Sequence, residues 1–157
     1  MGFDESMTAR STNREEIIHG LVQIGERAIA REDNDALDEY FSPDFMFHGP
    51  DGDLTYEQLK SYFASLRAAF DDLTVTRDHL VVDGSYLACQ TTIAGDFVRE
   101  FAQSPVGPLP PNGNRVVFVL NNIFRFEPSG RLAEEWVQTD SRNALRQLGA
   151  ERKARSR

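Results

Sequence analysis

Cys89 is the only cysteine among 157 residues. That scarcity excludes an internal disulfide and any thiolate cluster for zinc or iron–sulfur. Cys89 itself falls inside an apolar strand pattern, where a small buried hydrophobe is the expected role. Histidine is scarce as well. His19, His48 and His79 show no ligand spacing such as two histidines four apart around an acid, so neither a metal nor another cofactor is expected. No apolar run approaches the roughly 18 residues of a membrane-crossing helix, and no membrane partner is expected. The opening stretch MGFDESMTARSTNREE lacks the apolar core of a secretory signal. Asp4 and Glu5 fit the myristoylation pattern after Met-Gly poorly. A cytoplasmic protein is the expectation. Positive charge is also short, with 17 Lys and Arg against 25 Asp and Glu, a net −8. Nucleic-acid affinity is drawn largely from Lys and Arg on phosphates, so nucleic acid is not an expected partner. Repeats and low-complexity segments are absent.

What is present fits a globular domain: 40% hydrophobic and 27% charged residues argue against disorder and against a fibrous repeat. The length suits one core. We divide the chain into a flexible start (1–12), one folded domain (13–150) and a basic, flexible tail (151–157). From Asn13 to Arg31 the residues Ile17, Leu21, Ile24 and Ala28 recur at three- and four-residue steps, an amphipathic helix. DALDEYF is a second short helix, and PDFMFHG a short strand. Thr55 and Gln58 form a capping box ahead of Leu59, Tyr62, Phe63, Leu66 and Phe70 on one helical face. The period then changes to two. Leu73–Val82, Tyr86–Phe97, Val116–Phe126 and Leu132–Asp140 read as strands, with tight turns at Asp83-Gly84 and Ser129-Gly130. Four prolines between Phe101 and Asn114 make that stretch a loop, since proline cannot donate to a sheet ladder. Helices first and long strands afterwards define an α+β domain: a curved antiparallel sheet packed by N-terminal helices around one central pocket. The eleven phenylalanines fit two accounts, core filling or an aromatic-lined pocket.

Four segments, in order, carry a resemblance: PDFMFHG, AAFDDLTV, GPLPPNGNRV and RFEPSGRLAEEWVQTDSRNALRQLG. Together they resemble the SnoaL-like polyketide cyclases over roughly Asn13 to Gly149. The resemblance implies the cone-shaped nuclear-transport-factor-2-like fold. It also implies a cofactor-independent cyclase or isomerase, an aldol or enolisation catalyst in which a base removes a proton alpha to a carbonyl. In those cyclases an aspartate just after the residue matching Trp136 serves as acid/base; here that place is Val137. A cyclase histidine corresponds to Asn122. Limonene-type epoxide hydrolases share the fold, but their five functional places correspond to Phe47, Gly49, Gln90, Thr92 and Val137, which retain none of the required groups. That chemistry is disfavoured.

With Val137 facing the cone, strand alternation puts Glu135 and Thr139 on the same side, and Leu120, Asn122 and Phe124 on the neighbouring strand. Glu135 is then the candidate general base. Its alternative is a carboxylate at a solvated strand end beside Glu134. His48 is a candidate proton donor, although alternation opposes its facing to that of Phe47. Asp140 occupies a position the family often keeps, where a helix cap is the other reading. Catalytic candidates are thus Glu135, His48 and Asp140. Substrate-contact candidates are Phe47, Gln90, Thr92, Leu120, Asn122, Phe124, Val137 and Thr139. Trp136 should face away from the cone. The expected function is a pocket for a small, apolar, oxygenated molecule, with lyase or isomerase chemistry. A non-catalytic binding module is the alternative, and an interaction domain with a filled cone is a third. The resemblance also allows a homodimer through the outer sheet face, and the proline-rich loop lies where a lid would.

Overall fold

The computed structural model describes residues 5–150, with side chains from Asn13 onward. Residues 1–4 of the expected flexible start, and the whole basic tail 151–157, lie outside the described residues. Helix α1 (Glu5–Ile24) begins at Glu5 rather than at Asn13 and runs into a π-helical turn, Gly25–Ile29. Its expected stripe holds: Leu21, Ile24 and Ala28 are buried. Helix α2 (Asn34–Tyr40) starts where the Asp33 carboxylate accepts the Ala36 N–H at 3.0 Å.

Strand β1 (Phe41–Gly49) is followed by a short β2 (Gly52–Thr55) that pattern reading does not reveal. The two form a hairpin, and Gly52, the first residue of β2, sits at φ 124°. Thr55 then caps helix α3 (Tyr56–Ala69) as its sequence predicts. Its hydroxyl accepts the Gln58 N–H at 3.3 Å, and the Gln58 side chain accepts the Thr55 N–H at 2.9 Å. At Phe70 the backbone turns extended and β3 (Phe70–Asp83) begins, followed by β4 (Tyr86–Phe97), β5 (Arg115–Phe126), β6 (Leu132–Thr139) and helix α4 (Ser141–Gln147).

The strands form one sheet in the order β2-β1-β6-β5-β4-β3. It is mixed rather than antiparallel throughout, because β1 runs parallel to β6. Parallel neighbours need a long connection, and here α3 with the β3–β5 meander supplies it. The sheet is curved and unclosed, with β2 and β3 at its edges. Two register shifts bend β3, and Asp72 and His79 beside them take positive φ angles of 49° and 56°. An extra residue on one strand increases the local twist. The helices cover the concave face. Where the π-helical turn crosses β3, a Cβ on Gly25 would stand 2.9 Å from Val75 Cγ1, so the close approach requires glycine there.

Candidate functional site

Between the concave sheet and the helices lies a cavity of about 560 Å³. That volume lies within the usual range of small-molecule sites and rules out the filled cone of an interaction domain. The phenylalanines serve both expected purposes. Phe45 and Phe97 are fully buried core residues, whereas Phe41, Phe63, Phe101 and Phe118 line the cavity.

Four polar side chains of the lining form a row across the inner sheet face, one from each of β3, β4, β5 and β6. Strand register sets Arg77 of β3 opposite Thr91 of β4, Cys89 opposite Asn122 of β5, and Asn122 opposite Val137 of β6. The side chains join that row into a relay. Arg77 Nη1 donates to Thr91 Oγ1 at 2.7 Å, Thr91 donates to Asn122 Oδ1 at 2.8 Å, and Asn122 Nδ2 donates to Glu135 Oε2 at 2.9 Å. The amide orientation is fixed by this order, since its oxygen must accept from a hydroxyl and its nitrogen must donate to a carboxylate. The Arg77 guanidinium also stands 5.4 Å from the centre of the Phe124 ring.

Burial dominates the electrostatics. Glu135 is only 7% exposed, not at a solvated strand end as its alternative reading has it. Desolvation drives its pKa up to about 7, against smaller downward pulls from the Arg77 charge and the Asn122 hydrogen bond. Desolvation likewise lowers the Arg77 pKa and raises those of Tyr40 and Cys89. Among the described residues, two buried side-chain polar atoms find no partner, Tyr40 Oη and Arg77 Nε. A carboxyl group near neutrality beside an amide donor can give or take a proton at ordinary pH.

Seven of the eleven candidates named from sequence line this cavity: Glu135, Phe47, Leu120, Asn122, Phe124, Val137 and Thr139. The other four do not line it. Gln90 and Thr92 lie on the outer side of β4, where Gln90 Nε2 donates to Asn121 Oδ1 at 3.3 Å; the inward residues are Thr91 and Ile93. Successive residues of a strand point to opposite faces, so the pleat turns Gln90 and Thr92 outward and their neighbours inward. His48 is on the outer face, stacked on Trp136 with ring centres 5.5 Å apart. Its Nδ1 meets Asp53 at 2.9 Å and its Nε2 meets Glu134 at 2.6 Å. The Glu134 hydrogen bond, then the Asp53 one, raises the His48 pKa. Asp140 caps α4, accepting the Asn143 N–H at 3.0 Å. Trp136 faces away from the cavity as alternation requires.

Arg77 and Thr91 are two polar lining residues of the inner sheet face that do not figure among the sequence candidates. Both are within reach of the strand pattern. Cys89 falls inside an apolar strand pattern, so alternation puts Thr91 inside with it, and Arg77 is two residues beyond the inward Val75. At the mouth the proline-rich loop contributes Gln103, Ser104 and Pro105. It is tied down on α3, with Gln103 Nε2 donating to Ser61 Oγ at 2.7 Å and Gln103 N–H to Ser65 Oγ at 3.2 Å. Among the described residues no group of three or more His, Cys, Asp or Glu is placed to hold a metal, and no helix is long and apolar enough to cross a membrane.

Comparison with known proteins places this architecture. The family model described as SnoaL-like polyketide cyclase matches residues 20–148. Among solved structures, a proposed SnoaL-like polyketide cyclase from Jannaschia sp. CCS1 superposes with a TM-score of 0.72 at 22% identity, covering 88% of this chain and 93% of its own. AclR from Streptomyces galilaeus, a proposed hydroxylase, gives 0.70 at 22% identity, covering 88% and 96%. IdmH from Streptomyces antibioticus, a proposed polyketide cyclase, gives 0.68 at 25% identity, covering 87% and 98%. These likenesses show the fold. No curated protein matches the chain.

Proposed function

The chain belongs to the SnoaL-like polyketide cyclase family, and from that premise we propose that it is an acid/base catalyst for an apolar carbonyl compound, with Glu135 as the proton-transfer group. The observation that carries this reading is the buried carboxyl group of Glu135, hydrogen-bonded to Asn122 in a largely apolar cavity. The family aspartate has its counterpart at Val137, yet Asn122 is the register partner of Val137 and the Glu135 carboxyl reaches it. Glu135 therefore brings a carboxyl group next to the place that Val137 leaves apolar.

The chemistry follows. Ionised Glu135 takes a proton alpha to the substrate carbonyl, and the electron pair of that C–H bond becomes the enolate. In an aldol closure the enolate carbon forms a C–C bond to a second carbonyl carbon of the same molecule. The alkoxide so formed then takes the proton back from Glu135, which is ionised again. Such a positioned base contributes about 10²–10⁴-fold. Asn122, fixed by Thr91, orients the carboxyl group.

The test is solvent deuterium exchange at the alpha carbon of β-tetralone, an apolar bicyclic ketone, followed by NMR. The wild-type chain should speed exchange over buffer, and Glu135→Gln should lose about 100-fold or more of that enhancement. Because the reactive form is the carboxylate, kcat/KM should rise with pH and level off above about 7. Equal exchange in wild type and variant would remove Glu135 from the chemistry. The absence of the family aspartate and histidine, at Val137 and Asn122, favours a second reading, a binding module without catalysis. For that reading the exchange rate stays at the buffer rate for both proteins.

A further inference from the structure

The Arg77 guanidinium enters the cavity with one of its three nitrogens engaged. Nη1 donates to Thr91. Nε is sealed off without a partner, and Nη2 makes no hydrogen bond to any described residue. No carboxylate of a described residue lies within 4 Å of it in an ion pair. Glu135 acts on the guanidinium only through space, its carboxyl group being hydrogen-bonded to Asn122, and Asp51 belongs to the exposed rim. A guanidinium does not shed its proton in proteins. Arg77 is half-buried and lines the cavity, and a cation so placed, largely withdrawn from bulk water, gains from an anion that joins it there. The surrounding wall is apolar, with Ile24, Phe118, Leu132 and Val137 among its side chains.

We propose that the cavity takes an apolar molecule bearing a carboxylate, and that Arg77 binds that carboxylate. This rests on reading the cavity as a substrate site. A carboxylate is the fitting group because it stays ionised at neutral pH, so it compensates the guanidinium in the resting complex and not only during a reaction. It also matches the planar fork of N–H donors geometrically. The hydrocarbon body of the ligand then fills the apolar part of the 560 Å³. Arg77 accordingly fixes which end of the molecule lies against β3, and thereby which carbon is presented to Glu135 on β6.

The probes are naphthalene carboxylate and the matching naphthalene carboxamide, of the same shape but without charge, titrated by calorimetry at pH 7 into the full chain. The wild-type protein should bind the carboxylate at least about tenfold more tightly, the size expected of one charge-assisted hydrogen bond. Arg77→Gln should reduce the carboxylate to the affinity of the carboxamide, and Arg77→Lys, which keeps the charge, should retain part of the preference. Equal affinities in the wild type, binding of neither probe, or a preference that survives Arg77→Gln would each overturn the proposal. The wild-type comparison decides without any variant, should a variant fold poorly. Binding is read without turnover, so a carboxylate preference alongside unchanged exchange by Glu135→Gln would defeat the acid/base reading and leave this one standing.

Discussion

Glu135 links the chemistry of the cavity to the stability of the protein, because one desolvation acts on both. Its folded pKa of about 7 stands above the ordinary 4.5. Below pH 4.5 both folded and unfolded chains hold the proton, and the full contribution of the group to stability is present. As pH rises from there, the unfolded chain releases the proton while the folded chain retains it, so stability falls until the folded pKa has been passed. A difference of that size corresponds to about 3 kcal/mol. Urea unfolding at pH 4 and pH 8 should show the wild-type chain losing about that much relative to Glu135→Gln, which has no proton to hold. A pH-independent difference between the two proteins would mean that Glu135 ionises normally and is exposed. Residue-scale reading of the sequence reached Glu135 through alternation from Val137. It missed Arg77 because a charged residue within TVTRDHL reads as solvent-facing on composition, and position on the pleat decides otherwise.

At the scale of elements, legibility followed the locality of the forces. Helix α3 was readable end to end because the Thr55–Gln58 box and the Leu59, Phe63, Leu66 face are short-range features. The same holds for the Gly84 and Gly130 turns, both at positive φ. The π-helical turn at Gly25–Ile29 was not readable. It exists where the helix must meet β3 closely, and that contact joins residues 50 positions apart, Gly25 and Val75. Strand β2 escaped notice because four residues give too short an alternation. Asp140 shows how an element boundary can look like a site. It follows the strand that carries Glu135, yet its carboxylate points back onto the Asn143 N–H of its own helix. Removing an N-terminal cap costs about 1 kcal/mol. Asp140→Ala should therefore lower stability by about that amount in urea unfolding, and Asp140→Asn, which still accepts the bond, should recover most of it. An Asp140→Ala protein as stable as the wild type would show that α4 does not need the cap.

The whole molecule sets a long-range field against the local one. The α+β class and the helical cover over a curved sheet were legible from the order of elements. The parallel β1–β6 pair was not, because pairing between the first long strand and the last depends on closing a path through most of the chain. Net charge is legible from composition alone, and it conflicts with the ligand inferred for the cavity. A chain of net charge −8 repels an approaching carboxylate, whereas Arg77 attracts it only at contact. The two effects separate by ionic strength. The Debye length falls from about 30 Å at 0.01 M salt to about 8 Å at 0.15 M, so the repulsion across solvent is screened. The contact inside the cavity is enclosed by protein and is screened much less. Stopped-flow association of naphthalene carboxylate should accordingly speed up, about two- to tenfold, as salt rises over that range, with a nearly constant dissociation rate. Naphthalene carboxamide, uncharged, should show neither change. A carboxylate association rate that falls with salt would mean that the mouth of the cavity presents positive charge to the solvent, contrary to the placement of Asp51 at its rim and of Arg77 at its inner wall.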